Sequence, residues 1–421
     1  FAMRLASAAA QVLVPEGGTV VIGKDTRLSG YMFESALEAG FVAAGADVLL
    51  IGPLPTPGIA QLTQQFAADL GVVISASHNP YDDNGIKFFD RSGSKLSDAV
   101  EREIESHLQH PAITLVSSKL GKAKRIDTAR IRYQEFCAAT FPADLSLEGV
   151  KVVFDGANGA CYKVGPRTLA NLGAEVIPIG CSPNGRNIND SCGSTSPELL
   201  QLTVPALKAD VGVALDGDGD RVVMVDENGN LIDGDQLLYI LATARHRDGS
   251  LQGPVVGTVM SNLGLEHALG AANIEFLRAR VGDRYVLEML KENGGTIGGE
   301  TSGHMIVLDR ATTGDGLVCA LQVLAIMKQS GQRLSELAAG MPKYPQTMLN
   351  VRTDKRLDPA ASVPIQDAVV AAENELANKG RVVLRASGTE PVIRVMVEGE
   401  NADQVITLAR RLAEVVAEVA A

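Results

Sequence analysis

The chain has 421 residues, 46% of them apolar and 21% charged, with 43 glycines, 4% aromatics and no tryptophan. At roughly 150 residues per domain this points to about three domains with sizeable cores, and it excludes a disordered or low-complexity chain. A net charge of −12 argues against nonspecific attraction to nucleic acid or an anionic membrane, and so few aromatics leave no stacking platform for single strands.

In chain order, Met3-Arg4-Leu5-Ala6-Ser7-Ala8-Ala9-Ala10 has the look of a secretory signal. It lacks a cleavage region and runs on into Gln11 and Val12, which predicts an Ala-rich amphipathic helix instead. Residues 19–22 predict a strand. Around it, Gly18 to Lys24 matches G-x-x-x-x-G-K, but Asp25 follows where a P-loop needs Ser or Thr, and the interior reads as strand.

The apolar run 71–74 ends in Ser75-Ala76-Ser77-His78-Asn79-Pro80. Pro80 stops regular structure, and an exposed hydroxyl beside an imidazole suits nucleophilic or phospho-carrier work. The plainer alternative is a capping turn, and spacing leaves Ser75 and Ser77 equal candidates. Asn84-Gly85 predicts a tight turn that returns Lys87 toward the serine loop, although a lone Lys is more often a surface charge.

A second unit opens at 151–154, and its run 211–215 ends in Asp216-Gly217-Asp218-Gly219-Asp220-Arg221. Alternating carboxylates separated by glycines can turn three hard oxygen ligands toward one divalent cation. A calcium EF-hand would use Glu227 at its twelfth position. Its sixth position needs Gly and here is Arg221, and both flanks read as strands, so a Mg²⁺-type site is expected.

A third unit opens at 254–257, and its run 295–297 leads into Gly298-Gly299-Glu300-Thr301-Ser302-Gly303-His304. Glu300 and Ser302 there suit paired sugar hydroxyls. After a boundary near 341–345, strand-like runs 382–384 and 392–397 flank Arg385-Ala386-Ser387-Gly388-Thr389-Glu390-Pro391, with Arg394 on the second run. Backbone N–H groups, hydroxyls and guanidinium forks in one turn make a phosphate cradle; an ordinary polar hairpin is the alternative. A helical tail is expected over 402–420.

Strand and helix signals alternate throughout, the pattern of mostly parallel α/β sheets. Ligands of such sheets bind beyond the carboxyl ends of strands. Three similar units that each deliver one polar loop therefore predict one shared cleft. The cysteines, 137, 161, 181, 192 and 319, include no C-x-x-C pair. They predict neither disulfides nor a zinc site, and a reducing compartment. No apolar stretch reaches the ~18 residues of a membrane span, and a cytoplasmic location is expected.

With these four loops in order, the chain resembles the α-D-phosphohexomutase family almost end to end. The resemblance implies three related α/β domains with mixed sheets plus a smaller C-terminal α+β domain around a central cleft. Their spans are a phosphoserine-bearing domain over 1–145, a metal-binding domain over 146–248, a sugar-recognition domain over 249–343 and a phosphate-binding domain over 344–421. It makes Ser77, the residue before the histidine, the phosphorylated one. Asp216, Asp218 and Asp220 match the metal ligands, with the Ser77 phosphate completing a site for one Mg²⁺ per chain. Lys87 and Arg221 match groups that assist proton transfer and charge stabilisation, with His78 and His304 beside them. Glu300 and Ser302 match the sugar contacts; Arg385, Ser387, Gly388, Thr389 and Arg394 match the cradle for the phosphate that is not reacting.

The implied reaction interconverts glucosamine 6-phosphate and glucosamine 1-phosphate through a glucosamine 1,6-bisphosphate that turns end for end, feeding UDP-N-acetylglucosamine and cell-wall synthesis. Full-length similarity, including 281–286 and 312–316, favours the hexosamine phosphate. Glucose or mannose phosphates are the nearest alternative, because Glu300 and Ser302 would read hydroxyls that these sugars share. A noncatalytic sugar-phosphate binder and a phosphatase are alternatives from other classes. A homodimer is implied. Two departures stand out: the family's glycine-rich segment of the form G-T-D-G-I-R-G, with an active-site Arg, has no counterpart, and Thr301 replaces the common Gln or Asn.

Overall fold

The structure, a computed structural model, describes residues 1–353, 358–377, 379–386 and 391–420. The first sheet is built from β1 Thr19–Lys24, β2 Asp47–Pro53, β3 Leu70–Ile74, β4 Ile86–Asp90 and β5 Ala123–Arg125, in the order β4-β3-β1-β2-β5. The second is built from β6 Lys151–Asp155, β7 Glu175–Ile179, β8 Val211–Leu215, β9 Val222–Val225 and β10 Leu231–Ile232, in the order β10-β9-β8-β6-β7. The third is built from β11 Val255–Thr258, β12 Phe276–Ala279, β13 Ile297–Gly299 and β14 Met305–Val307, in the order β12-β11-β13-β14.

The three sheets share one plan. A central strand pairs in parallel with its neighbours on both sides, and one of those neighbours also pairs with the next strand in an antiparallel ladder. The serine loop joins β3 to β4, the aspartate loop joins β8 to β9, and the Glu300 loop joins β13 to β14. All three polar loops therefore leave the same topological position. The repetition is irregular in sequence because insertions between strands differ, while the pairing that orients each loop is the same.

Strands β3 and β8 are buried along their whole length, as expected of parallel strands covered on both faces, and their residues are accordingly a continuous apolar run. The fourth sheet, β15 Gln346–Arg352, β16 Gly380–Ala386 and β17 Val392–Gly399 in the order β15-β17-β16, is antiparallel. Strand β15 alternates exposed and half-buried residues, the mark of a sheet covered on one face. That cover is the helices Val363–Leu376 and Ala402–Ala420.

The Ala-rich opening is the helix Ala2–Leu13. It lies so close to the helix Ser29–Ala43 that a Cβ on Gly40 would stand 2.5 Å from the Met3 carbonyl oxygen. The false P-loop is the strand β1, and both flanks of the aspartate loop are strands. The five cysteines are free thiols, four buried and Cys181 half-buried. Among the described residues, no helix is long and apolar enough to cross a membrane.

Two local expectations fail. Residues 295–296 are not strand: Gly294 takes φ +67° and closes the helix Asp283–Asn293, and the Gly295 N–H bonds Leu290 O, so β13 starts only at Ile297. Asn84-Gly85 is not the tight turn either; that lies at Tyr81-Asp82. Gly85 packs against the chain at Ser75, where a Cβ would come within 2.5 Å of the Ser75 carbonyl oxygen.

Candidate active site

Ser77 takes φ +51°, a left-handed conformation that costs a non-glycine residue energy and clusters at functional sites. The bend turns its hydroxyl inward: Oγ donates to Asp216 Oδ2 at 2.7 Å. The residue is only 9% exposed, not the open hydroxyl expected. Ser75 has a different part, since its Oγ accepts the Ser77 N–H at 2.9 Å and braces the bend. His78 Nδ1 lies 3.4 Å from Ser77 Oγ. Burial, then the positive charge of Arg221, holds that imidazole below its usual range.

Two residues the sequence reading passed over hold this loop. Arg27, buried and ion-paired with Asp25, donates to the carbonyls of Ser77 (3.3 Å), Asn79 (2.6 Å) and Pro80 (3.3 Å). Asn189 Nδ2, from the second unit, donates to the carbonyls of Ser77 (2.9 Å) and Asn79 (3.0 Å). Arg27 stands just beyond the end of β1. The carboxyl-end rule that marks the other three loops applies there too.

Asp216, Asp218 and Asp220 are all buried, each with a carboxylate oxygen within 4.8 Å of the others'. Elements from the whole chain meet them. Thr56 Oγ1 donates to Asp218 Oδ2 at 2.6 Å, and Lys87 Nζ reaches the same oxygen at 2.8 Å and Asp220 Oδ2 at 3.7 Å. Thr56, at the start of the helix after β2, carried no sequence signal. Burial, then Asp220 and Asp218, pushes the Asp216 carboxyl well above the usual range. Burial also works to raise Asp220, but Lys87, His304 and Arg221 overcome it and hold that carboxyl well below. Burial opposes the charge of Lys87 as well, yet Asp218 and Asp220 keep its ammonium protonated far above neutrality.

His304 packs on the other side, with Nδ1 3.8 Å from Asp220 Oδ2 and Nε2 3.5 Å from Asp283 Oδ2. Burial would neutralise it; the adjacent Asp220 carboxylate, then Asp283, prevail and raise its pKa. Asp283 in turn is ion-paired with Lys95. Gly314 is required here, because a Cβ would sit 2.3 Å from the His304 ring. Arg221 and His304 form an isolated β-bridge, so the aspartate and Glu300 loops are joined through their backbones. Glu300 Oε1 accepts the Gly282 N–H at 3.0 Å, and Ser302 is exposed.

Arg385 and Arg394 face each other across the β16–β17 ladder. Burial, then the charge of Arg394, lowers the Arg385 pKa, with Glu300 countering. Two guanidiniums held side by side suit a dianionic partner. Ser387, Gly388 and Thr389 lie outside the described residues.

The carboxylate trio fits a divalent cation on its donor chemistry. Its ligands are hard oxygens, and Asp218 Oδ1 and Asp220 Oδ1 are buried with no hydrogen-bond partner. Unmet carboxylate oxygens and mutual repulsion are both relieved by one bound cation.

Four family models match in order. The phosphoglucomutase/phosphomannomutase alpha/beta/alpha domains I, II and III match residues 1–112, 132–229 and 233–344, and the C-terminal domain matches 348–415. The chain belongs to the phosphoglucomutase/phosphomannomutase family. It is 57% identical to a phosphoglucosamine mutase of Aeromonas hydrophila over 98% of this chain and 94% of that one. It is 56% identical to a phosphoglucosamine mutase of Nitrosococcus oceani over 94% and 88%. Its fold is similar to a crystal structure of a phosphoglucomutase/phosphomannomutase family protein from Burkholderia thailandensis, with TM-score 0.79, 24% identity and 99% and 93% of the two chains covered. The N-acetylphosphoglucosamine mutase of Aspergillus fumigatus, solved with GlcNAc-6P and magnesium, aligns with TM-score 0.70 and 19% identity over 87% and 93%. Membership of this family makes the chain a mutase with a phosphosugar substrate, on a fold of three related α/β sheets and a smaller fourth unit.

Proposed function

We propose that this protein interconverts glucosamine 6-phosphate and glucosamine 1-phosphate by way of a phosphoryl group carried on Ser77. The observation that carries the reading is the Ser77 hydroxyl held 2.7 Å from Asp216 within a buried carboxylate trio. The choice of hexosamine rests on 57% identity to a phosphoglucosamine mutase. Asp216, Asp218 and Asp220, with the Ser77 phosphate, would hold one Mg²⁺ per chain, which supplies charge neutralisation at the transferring group.

The 1-hydroxyl of glucosamine 6-phosphate attacks the phosphorus on Ser77. An O1–P bond forms as the P–Oγ bond breaks; the O1 proton passes to a side chain facing the transferring group, and the departing Ser77 Oγ takes up a proton to become the hydroxyl again. Lys87 and Arg221 bring positive charge to the position where negative charge is shared among phosphoryl oxygens, so positioning and electrostatics do most of the catalysis. His304 and His78 complete the polar wall. Glucosamine 1,6-bisphosphate then turns end for end, its 6-phosphoryl returns to Ser77, and glucosamine 1-phosphate leaves with no net consumption of water.

Glu300 and Ser302 take the sugar hydroxyls in this scheme. Arg385 and Arg394, with Ser387, Gly388 and Thr389, take the phosphate at rest. The spans 1–145, 146–248, 249–343 and 344–421 divide these tasks among four domains. A homodimer and a cytoplasmic setting, where sugar phosphates and five free thiols are at home, complete the proposal, with the product destined for UDP-N-acetylglucosamine.

The test primes the protein with glucosamine 1,6-bisphosphate and Mg²⁺ and compares glucosamine, glucose and mannose 6-phosphates. A preference for glucosamine 6-phosphate, with an intact mass carrying one phosphate, is expected. Preference for glucose or mannose 6-phosphate overturns the substrate, and release of free phosphate overturns the mutase chemistry.

A further inference from the structure

The loop of the sugar contacts and the seat of the fourth unit share a buried anchor. Asp235, fully buried at the start of the helix Gly234–Asp248, has one carboxylate oxygen with two partners. Oδ2 accepts the Thr301 hydroxyl at 2.8 Å and the Asn262 N–H at 2.9 Å. Thr301 stands between Glu300 and Ser302, and the Gly234 N–H bonds the Thr301 carbonyl at 3.2 Å. One end of the anchor is thus the recognition loop.

The other end is the segment 259–263, on which the fourth unit sits. Arg381 of β16 donates to Val259 O at 2.9 Å and to Ser261 O, and its Nε meets Glu398 Oε2 at 2.7 Å. Glu398 Oε1 accepts the Leu263 N–H at 2.9 Å. The Asn262 side chain grips the connection between the third and fourth units: Nδ2 donates to Tyr344 O at 3.0 Å and Oδ1 accepts the Tyr344 N–H at 2.9 Å. Glu398 and Ser261 are fully buried, so these bonds have no water to replace them if broken.

We propose that Asp235 is a positioning residue that couples the posture of the Glu300–Ser302 loop to the seating of the fourth unit, through Thr301 on one side and Asn262 on the other. A buried carboxylate short of hydrogen bonds is expensive, and Asp235 Oδ1 has no partner, so the two bonds to Oδ2 carry its satisfaction, and loss of either weighs on the other. The unit bearing Arg385 and Arg394 then seats together with the loop that reads the sugar. Phosphate capture and hydroxyl recognition are thereby scored jointly, and a phosphate-bearing ligand without the sugar hydroxyls engages only half of the device. The coupling assumes the roles given above to Glu300, Ser302 and the two arginines.

The test uses Thr301→Val, which removes the hydroxyl at nearly constant volume, and Thr301→Ser, which keeps it. In the full chain with Mg²⁺, Thr301→Val is expected to raise KM for glucosamine 6-phosphate about tenfold with kcat within about threefold. Thr301→Ser should stay near the parent. Combined with Arg381→Ala, the loss should be less than multiplicative, because both substitutions break the same device. Hydrogen exchange gives a readout that needs no turnover: Thr301→Val should speed exchange of the Asn262, Leu263 and Tyr344 amides, and Thr301→Ser should not. Asp235→Asn, checked by circular dichroism for folding, serves as a second variant for the same amides. Multiplicative effects, or unchanged exchange at 262–263 and 344 in both Thr301→Val and Asp235→Asn, overturn the coupling. Loss of the exchange effect with intact mutase activity condemns the coupling alone; altered exchange without mutase activity condemns the assigned reaction and leaves the mechanical link.

Discussion

The apolar core behind the first three sheets runs unbroken, from Val21 and Val73 through Phe154 and Val213 to Val255 and Ile297. The fourth sheet has a cluster of its own, with Ile365, Val395, Leu408 and Leu412. The same contrast holds at the site. Ser77, the aspartate trio, Lys87 and His304 are locked by side-chain contacts between units whose loop-bearing strands β3 and β8 are buried end to end. Arg385 and Arg394 sit on a half-buried ladder, tied to the rest through Arg381, Glu398 and Tyr344. In the proposed mechanism the transfer of a phosphoryl group needs fixed distances, and the part that would accept either end of the bisphosphate needs freedom. Separate cores let both exist in one chain.

The largest effect is expected at the fixed end. Ser77→Ala should cut turnover by at least about 10⁴-fold and abolish the one-phosphate mass increment, while circular dichroism and melting temperature stay near the parent. Near-normal mutase rates would remove the serine from the mechanism.

At the other end the loss should be graded. Arg394→Ala should raise KM roughly 10- to 100-fold, the worth of a hydrogen bond to a charged group, with a smaller fall in kcat. A fall confined to kcat would place the arginine in the transfer step and erase the contrast between the two regions.

The cores themselves can be compared. Phe154→Ala should destabilise the three-sheet body by roughly 3–5 kcal/mol, and Leu408→Ala the fourth unit by roughly 2–5 kcal/mol. Hydrogen exchange should report the second loss within residues 346–420 and at the seat amides of Leu263 and Tyr344, and nowhere in β3 or β8, if the cores are independent. Exchange that rises in β3 and β8 as well would mean that the four units unfold as one.

The smallest effect is a pH dependence. Asp315 caps the helix Gly316–Ser330 and accepts the Tyr133 hydroxyl at 2.7 Å, and burial pushes its carboxyl up to about 6. Because the folded value lies above the unfolded one, the protonated group contributes stability below about pH 4 that is lost as pH rises through about 6. Urea unfolding of the parent and Asp315→Asn should therefore show the parent's relative stability falling, by on the order of 2 kcal/mol, between pH 4.5 and pH 7. A difference that does not change with pH would mean that Asp315 titrates alike folded and unfolded.

Much of this was legible in the residues. Val211 to Leu215 reads as a strand, and Asp216-Gly217-Asp218-Gly219-Asp220 after it reads as an oxygen-lined turn suited to a divalent cation, against the alternative of an EF-hand. Arg385 and Arg394 suggest a phosphate cradle, with an ordinary polar hairpin as the alternative. Gly295 and Gly85 misled because a glycine's meaning depends on what lies beside it: one follows the Gly294 cap that closes a helix, the other admits the Ser75 backbone.

By itself the sequence determined the local chemistry and where each loop begins, because hydrophobic period, glycine and charge act over a few residues. Only the tertiary structure decided which loops meet. Thr56, Arg27, Asn189 and Asp235 have polar partners 162, 50, 112 and 66 positions away. A lone threonine or asparagine carries no mark of the distant carbonyl or carboxylate it will satisfy. Burial makes those bonds obligatory, since a polar group removed from water must find its partner inside the protein, and burial is a property of the packed chain.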